Sequence, residues 1–181
     1  MKKYIIILIL VTIGIAFFWY NGTYKINEDE IDKNVTQFVN RKNDNDSLKI
    51  NIEESVDIGY RRIVCFTTDN GLLGEAFLKK GINKRFKIEW TGYGNNIYRH
   101  KVIKIGNKKY FTVIGRNYDL QIAKIIGNFK DKTYELEVPQ QEYFIIYCEV
   151  ENNFSEHPAI RLFDSNNNDI TDDIYEAYSL D

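Results

Sequence analysis

Hydrophobic positions along this chain follow three regimes: one unbroken block, one stretch with helical spacing, and then a long series of short alternating runs. The block is residues 4–20, YIIILILVTIGIAFFWY, seventeen residues without a charge. As a helix it would span roughly 25 Å, at the short end of what crosses a hydrocarbon core. Tyr4 opens it and Trp19-Tyr20 close it, where amphipathic rings favour the headgroup level. Lys2 and Lys3 precede it, and the next charges are Lys25, Glu28, Asp29, Glu30 and Asp32. This pattern predicts a single transmembrane helix with the N-terminus cytoplasmic and the remaining chain outside. A cleaved signal peptide shares the basic start and apolar core, but cleavage favours small residues where this run ends in Phe17-Phe18-Trp19-Tyr20. The first cysteine, Cys65, is too far along for a lipid-modified start. Residues 1–20 are therefore expected to be an uncleaved signal-anchor.

Residues 21–47 read as a linker that contains the helical stretch, over 28–42. Ile31, Val35, Phe38 and Val39 fall on one face, Asn27 and Glu30 have capping-box spacing, and acids precede basic residues along the axis. The helix is expected either to pack on the domain or to serve as a stalk or dimer contact.

From residue 48 the period changes to two. Short alternating or apolar runs are expected over 48–52, 58–68, 72–80, 84–91, 97–105, 108–115, 121–129, 133–138, 143–150 and 159–163. Asp69-Asn70-Gly71, Gly106-Asn107 and Lys130-Asp131-Lys132 are the turns between them. In 84–91, Phe86, Ile88 and Trp90 are expected on one face. Thr171 is a cap for a short helix over 172–178. No strand–helix–strand alternation occurs. The expectation is a mainly β protein: an antiparallel sandwich or barrel-like domain of about 8–9 short strands over 48–181, preceded by the transmembrane helix and the amphipathic helix.

Charge changes the picture more than composition does. Residues 79–116 hold eleven Lys/Arg and one acid, Glu89, whereas 117–181 hold four basic and fourteen acidic residues. Pairing between strands of the two regions would neutralise them; opposite faces would leave a basic patch. Within the basic region, the loop after Trp90 and its flanks bring together glycines, asparagines, rings and cations. Trp90, Tyr93, Asn95, Tyr98, Arg99, Lys101 and Lys104 are the candidate ligand-binding residues. Basic residues interleaved with aromatics also suit nucleic acid, but an outside domain makes lipid headgroups, an anionic envelope polymer or an acidic protein the expected partner.

Catalytic chemistry is not legible. His100 lies in a basic strand and His157 in a loop before Pro158, and neither has a nucleophile and acid at recognisable spacing. Phosphate-binding, zinc-protease and nucleophile-elbow motifs are absent from the sequence. Residues 164–169, DSNNND, place Asp164, Asn166 and Asn168 like the first ligands of a calcium loop, but Asp169 occupies the glycine position and Tyr175 the final ligand position. A polar hairpin turn explains them equally. No metal and no cofactor is expected. Cys65 and Cys148 either form one disulfide or stay apart as buried small residues. Four N-x-[ST] triplets, at Asn21, Asn34, Asn45 and Asn153, matter only where the host glycosylates secreted chains.

The sequence thus leads to an anchored domain at the cell envelope that binds without catalysis. The alternatives are an envelope glycan hydrolase or a membrane-linked sensor subunit.

Overall fold

The computed structural model describes residues 2–41, 47–151 and 158–178. Residues 42–46 of the expected linker, His157, and the triplets at Asn45 and Asn153 lie outside the described residues. Helix α1 (Lys2–Thr23) contains the apolar block and runs three residues beyond it. A 3-10 turn (Glu28–Glu30) leads into α2 (Ile31–Asn40). Ten strands follow: β1 (Ile50–Ile58), β2 (Arg61–Thr68), β3 (Leu73–Lys80), β4 (Phe86–Gly94), β5 (Tyr98–Ile105), β6 (Lys108–Arg116), β7 (Lys124–Asn128), β8 (Thr133–Glu137), β9 (Tyr143–Val150) and β10 (Ala159–Phe163). Helix α3 (Thr171–Tyr178) closes the chain. All strand pairings are antiparallel. The mainly β expectation holds, with ten strands instead of eight or nine.

The strands form three sheets rather than two: a β1-β2-β3-β4 meander, a β5-β6-β9 sheet and a β10-β7-β8 sheet. Three apolar clusters show how they stack. Ile31, Val35 and Val39 of α2 pack on Val64, Phe66, Ala76, Leu78 and Phe86 of the first sheet. The opposite face of that sheet, with Ile63, Cys65, Leu73 and Phe77, packs on Ile103, Ile105 and Ile114 of the second. The far face of the second sheet, with Val102, Phe111, Val113 and Phe144, packs on Ile125, Leu136, Leu162 and Ile174 from the third sheet and α3. The order is helix, sheet, sheet, then sheet with helix. Two sheets are therefore covered on both faces, which is why β2 reads as the continuous run Ile63-Val64-Cys65-Phe66 without alternation.

Two bulges set which face each side chain takes. In β1, Ile52 pairs with Phe66 but Glu54 with Cys65, so Glu53 is the extra residue. Ile50 and Ile52 join the α2 side while Val56 and Ile58 join the second sheet. The sequence places Ile58 inside the second strand; instead the chain reverses at Gly59-Tyr60, with Gly59 at φ +60. In β4, Leu78 pairs with Ile88 but Phe77 with Trp90, leaving Glu89 extra. Phe86 and Ile88 stay on the α2 side, and Trp90 swings to the other face beside Phe77. The expected common face for all three is broken by this one residue.

The segment between the helices is no free linker. Tyr24 and Ile26 are buried, and Ile26 exchanges backbone hydrogen bonds with Phe86 at 2.8 and 3.1 Å. The start of α2 is held by Arg62, which meets Glu28 at 2.8 Å and Asp57 at 2.6 Å. Asp57 lies below the usual carboxylate range because of its Arg62 hydrogen bond. With Ile31, Val35 and Val39 buried, α2 spends its apolar face on its own domain, which is the packed alternative and not the stalk.

Candidate binding cleft at the β4–β5 edge

Strands β4 and β5 are the outer strands of their sheets, and the connection 95–97 joins them. Beside that connection lies a cleft of about 260 Å³ lined by Glu75, Asn96, Tyr98, Arg99, His100 and Tyr175. Alternation along β5 decides what enters it from each side. Arg99 and Lys101 share the side of Ile103 and Ile105, toward the first sheet; Tyr98 and His100 share the side of Val102, toward the third sheet and α3.

Arg99 Nε donates to Glu75 Oε1 at 2.9 Å, joining the two sheets at their open end. Glu75 is only 4% exposed. Burial pushes its carboxyl up, against the pull of the Arg99 guanidinium. Gly92 and Gly94 leave room for the guanidinium: a Cβ on Gly92 would stand 2.6 Å from the Trp90 ring and 3.1 Å from an Arg99 nitrogen. The Lys101 ammonium lies 4.4 Å above the Trp90 ring, which is 37% exposed, in cation–π contact. On the other side, the Tyr98 and Tyr175 hydroxyls meet at 2.5 Å, and burial raises the Tyr98 phenol well above its usual range. The ring of His100 stands 6.0 Å from Tyr98 and 6.4 Å from Phe111.

Of the seven candidate residues, Trp90, Arg99 and Lys101 come together, and Tyr98 lines the same cleft from the opposite side of β5. Asn95 belongs to the connecting loop. Tyr93 pairs with Gly74 two residues past Trp90's neighbour and lies on the α2 side of the sheet, so it does not join the cleft. Lys104 shares the parity of Val102, opposite Lys109, and points away from Arg99 and Lys101. Sequence reasoning missed Glu75 and Tyr175. A lone acid inside the apolar run Leu72–Leu78 is a signal for Glu75; Tyr175 carries none, since only folding brings α3 to β5.

The basic region does not form one patch. Lys108 and Arg116 pair with Glu149 and Glu142 at 2.6 Å each, so β6 and β9 neutralise in part the charge asymmetry of the sequence. Lys79, Lys80, Lys84, Arg85 and Lys87 gather instead around the β3–β4 turn. In the 164–169 turn, Asp164 accepts from the Asn166 and Asn168 backbone at 2.9 and 2.8 Å and from the Asn168 amide at 2.9 Å, which lowers its pKa and accounts for these residues as a polar turn. Among the described residues no group of three or more His, Cys, Asp or Glu is placed to hold a metal ion.

Both cysteines are free thiols. Cys65 lies between the first and second sheets, whereas Cys148, paired with Phe111, packs between the second and third. A whole sheet separates them, so of the two alternatives the disulfide is not formed. Burial pushes the Cys65 thiol up to about 12, with neighbouring Glu53, Glu54 and Glu75 adding to it, and the Cys148 thiol up to about 11. In the folded protein, iodoacetamide at about pH 8 is expected to leave Cys65 unmodified and to reach Cys148 slowly, while unfolding exposes two equivalents of thiol. Mass spectrometry of the alkylated chain checks this; a disulfide-linked peptide pair would contradict it.

Lys3–Thr23 of α1 has a mean hydropathy of 2.2 over its apolar window, none of which is buried. It is long and apolar enough to cross a membrane, as an anchor or as a signal sequence. The chain matches no protein-family model, no curated protein and no solved structure.

Proposed function

We propose that the chain is a single-pass membrane protein, N-terminus cytoplasmic, whose β domain lies outside at the cell envelope and binds an acidic partner there without catalysis. The observation that carries the binding reading is the Lys101–Trp90 pair, a cation stacked on an exposed ring at the open edge of two sheets and beside the Arg99 guanidinium. A ring and two cations at one edge recognise an acidic polymer or an acidic protein segment through charge and stacking together. Glu75, the carboxylate that lines the cleft, is already committed to Arg99, which favours binding over acid–base work.

Retention of α1 is supported by its junction with the domain. Tyr20 Oη accepts the Ile82 N–H at 2.6 Å, and the Asn83 amide donates to Asn21 Oδ1 and to the Tyr24 carbonyl, each at 3.0 Å. A leader that is cut away has no need of such contacts.

The test uses the full chain in phosphatidylcholine nanodiscs, mixed with polyphosphate or with envelope fragments and followed by co-sedimentation against salt. Binding is expected to fall steeply with salt. Lys101→Glu is expected to weaken it about tenfold, equivalent to about 1.4 kcal/mol, with the domain still folded by circular dichroism at the assay temperature. Retention unaffected by Lys101→Glu and by Trp90→Ala would sink the reading.

A further inference from the structure

The junction of α1 with the domain has a second consequence. It fixes which end of the β domain lies against the bilayer. The β3–β4 turn sits at that end, because the Ile82 N–H is bonded to the Tyr20 hydroxyl, and Tyr20 ends the apolar block. Ile82 is 92% exposed, the most exposed large apolar side chain outside α1 among the described residues. Around it, Lys79, Lys80, Lys84, Arg85 and Lys87 give five cations with no acid between residues 79 and 87. Lys84 and Arg85 are exposed.

Other turns gather at the same end. The Tyr60 carbonyl of the β1–β2 turn accepts the Lys80 N–H at 2.7 Å, and the Tyr60 hydroxyl accepts the Gly106 N–H of the β5–β6 turn at 3.1 Å. The second of these turns is flanked by Lys104 and Lys108, the latter paired with Glu149. Beside the last residue of α1 a groove of about 340 Å³ opens between α2 and β4, lined by Thr23, Lys25, Phe38, Arg41, Lys87 and Ile88. The Arg41 guanidinium lies 3.5 Å over the Phe38 ring, so the groove offers cations above an apolar floor.

We infer that this anchor-proximal end is a docking surface for anionic phospholipid headgroups, with Ile82 inserted at the level of Tyr20 and the lysines and arginines around it on the phosphates. The inference rests on α1 spanning the membrane. The chemistry is that of a juxtamembrane basic cluster: each cation near an anionic leaflet favours contact about fivefold, and one exposed aliphatic side chain reaches the acyl boundary. The outcome is a domain that does not swing on its tether. The β4–β5 cleft then keeps a fixed height above the bilayer.

The experiment places a nitroxide at one position at a time in the full chain, with Cys148→Ser and with buried Cys65 left in place. The positions are Ile82→Cys, Ile9→Cys within α1, and Asp69→Cys on the β2–β3 turn at the opposite end of the first sheet. Collision with oxygen reports lipid and collision with a nickel chelate reports water. In vesicles of phosphatidylcholine mixed with phosphatidylglycerol, the label at 82 is expected to be shielded from nickel several-fold more than the label at 69. Pure phosphatidylcholine, or Lys84→Glu with Arg85→Glu, should return it toward water. A label at 82 as wet as that at 69 in the anionic vesicles, with the label at 9 in lipid, overturns the headgroup contact and leaves the anchor standing. A label at 9 in water overturns both.

Discussion

Replacing Arg99 with methionine is expected to cost about 3 kcal/mol of stability at neutral pH, and most of that loss should vanish in acid. Glu75 is buried between two sheets, and Arg99 is the side chain that compensates it. Removing one partner of a buried pair leaves the other charge in a medium that cannot solvate it, a loss of about 3–5 kcal/mol; partial exposure of Arg99 puts this pair at the low end. Methionine keeps an unbranched apolar stem of similar length and removes the guanidinium that lies beside Gly92 and Gly94, which confines most of the effect to the charge. The pH dependence follows from the direction of the Glu75 shift. Burial raises its pKa above the ordinary 4.5 despite Arg99. A raised carboxyl contributes stability that is fully present below the unfolded pKa and is lost as pH rises through the folded one. Without Arg99 the folded value climbs further, so the deficit of Arg99→Met relative to the native chain grows from about pH 4.5 upward. Chemical unfolding of both chains at pH 7 and at pH 4 checks this. Glu75→Gln combined with Arg99→Met should lie above Arg99→Met alone at pH 7, because no buried charge is left unpaired. An equal deficit at both pH values would show that packing, not charge, holds Arg99 in place.

The element series was legible because its causes are local. The apolar block, the helical spacing of Ile31, Val35 and Val39, and the turn residues at 69–71 and 106–107 each act within a few positions, and each produced the element expected. What the chain does not display is an extra residue. Glu89 looks like an ordinary outward position of an alternating strand and Glu53 falls just past the run over 48–52, yet each is a bulge that moves every later side chain to the other face. Trp90 reaches Lys101 only because of Glu89. Without that residue it would face α2, and the candidate site would not exist. Layering was hidden for a related reason. Ile63-Val64-Cys65-Phe66 shows that both faces of β2 are covered, but not by what, and the separation of Cys65 from Cys148 depends on the intervening sheet.

The candidate site was half legible on the same grounds. Trp90, Arg99 and Lys101 are close in sequence and carry conspicuous chemistry. Lys104 looked equivalent to Lys101, and three residues of strand put it on the opposite face. Glu75 and Tyr175 are distant in sequence and enter through the stacking of sheets and the docking of α3. The long basic run divides into three parts, because hairpin turns carry them to different places and β9 with the residue before it brings acids to Lys108 and Arg116.

Phe66→Ala is expected to be the most damaging single change, at about 4 kcal/mol, and its partner Gly74 makes the mechanism testable. Phe66 is fully buried between the first sheet and α2, so truncation removes a ring and leaves a cavity that two flanking elements cannot close. Phe66 pairs directly with Gly74 across β2 and β3, and its ring lies where a Cβ on Gly74 would be, 2.2 Å from the nearest ring carbon. The same device recurs where Gly115 pairs with Phe144, at 2.4 Å. In each case a ring folds over a glycine in the neighbouring strand, covering the backbone that the missing side chain leaves bare. Gly74→Ala alone should therefore cost about 1–3 kcal/mol by overpacking. In the Phe66→Ala background the sign should reverse. The added methyl enters the vacated space, and alanine in a strand gains about 0.5–1 kcal/mol over glycine in backbone entropy. The double variant should then be more stable than Phe66→Ala alone, and denaturant unfolding of the four chains of this cycle measures the coupling directly. Additive losses would mean that Gly74 is there for its backbone and not for the ring that covers it.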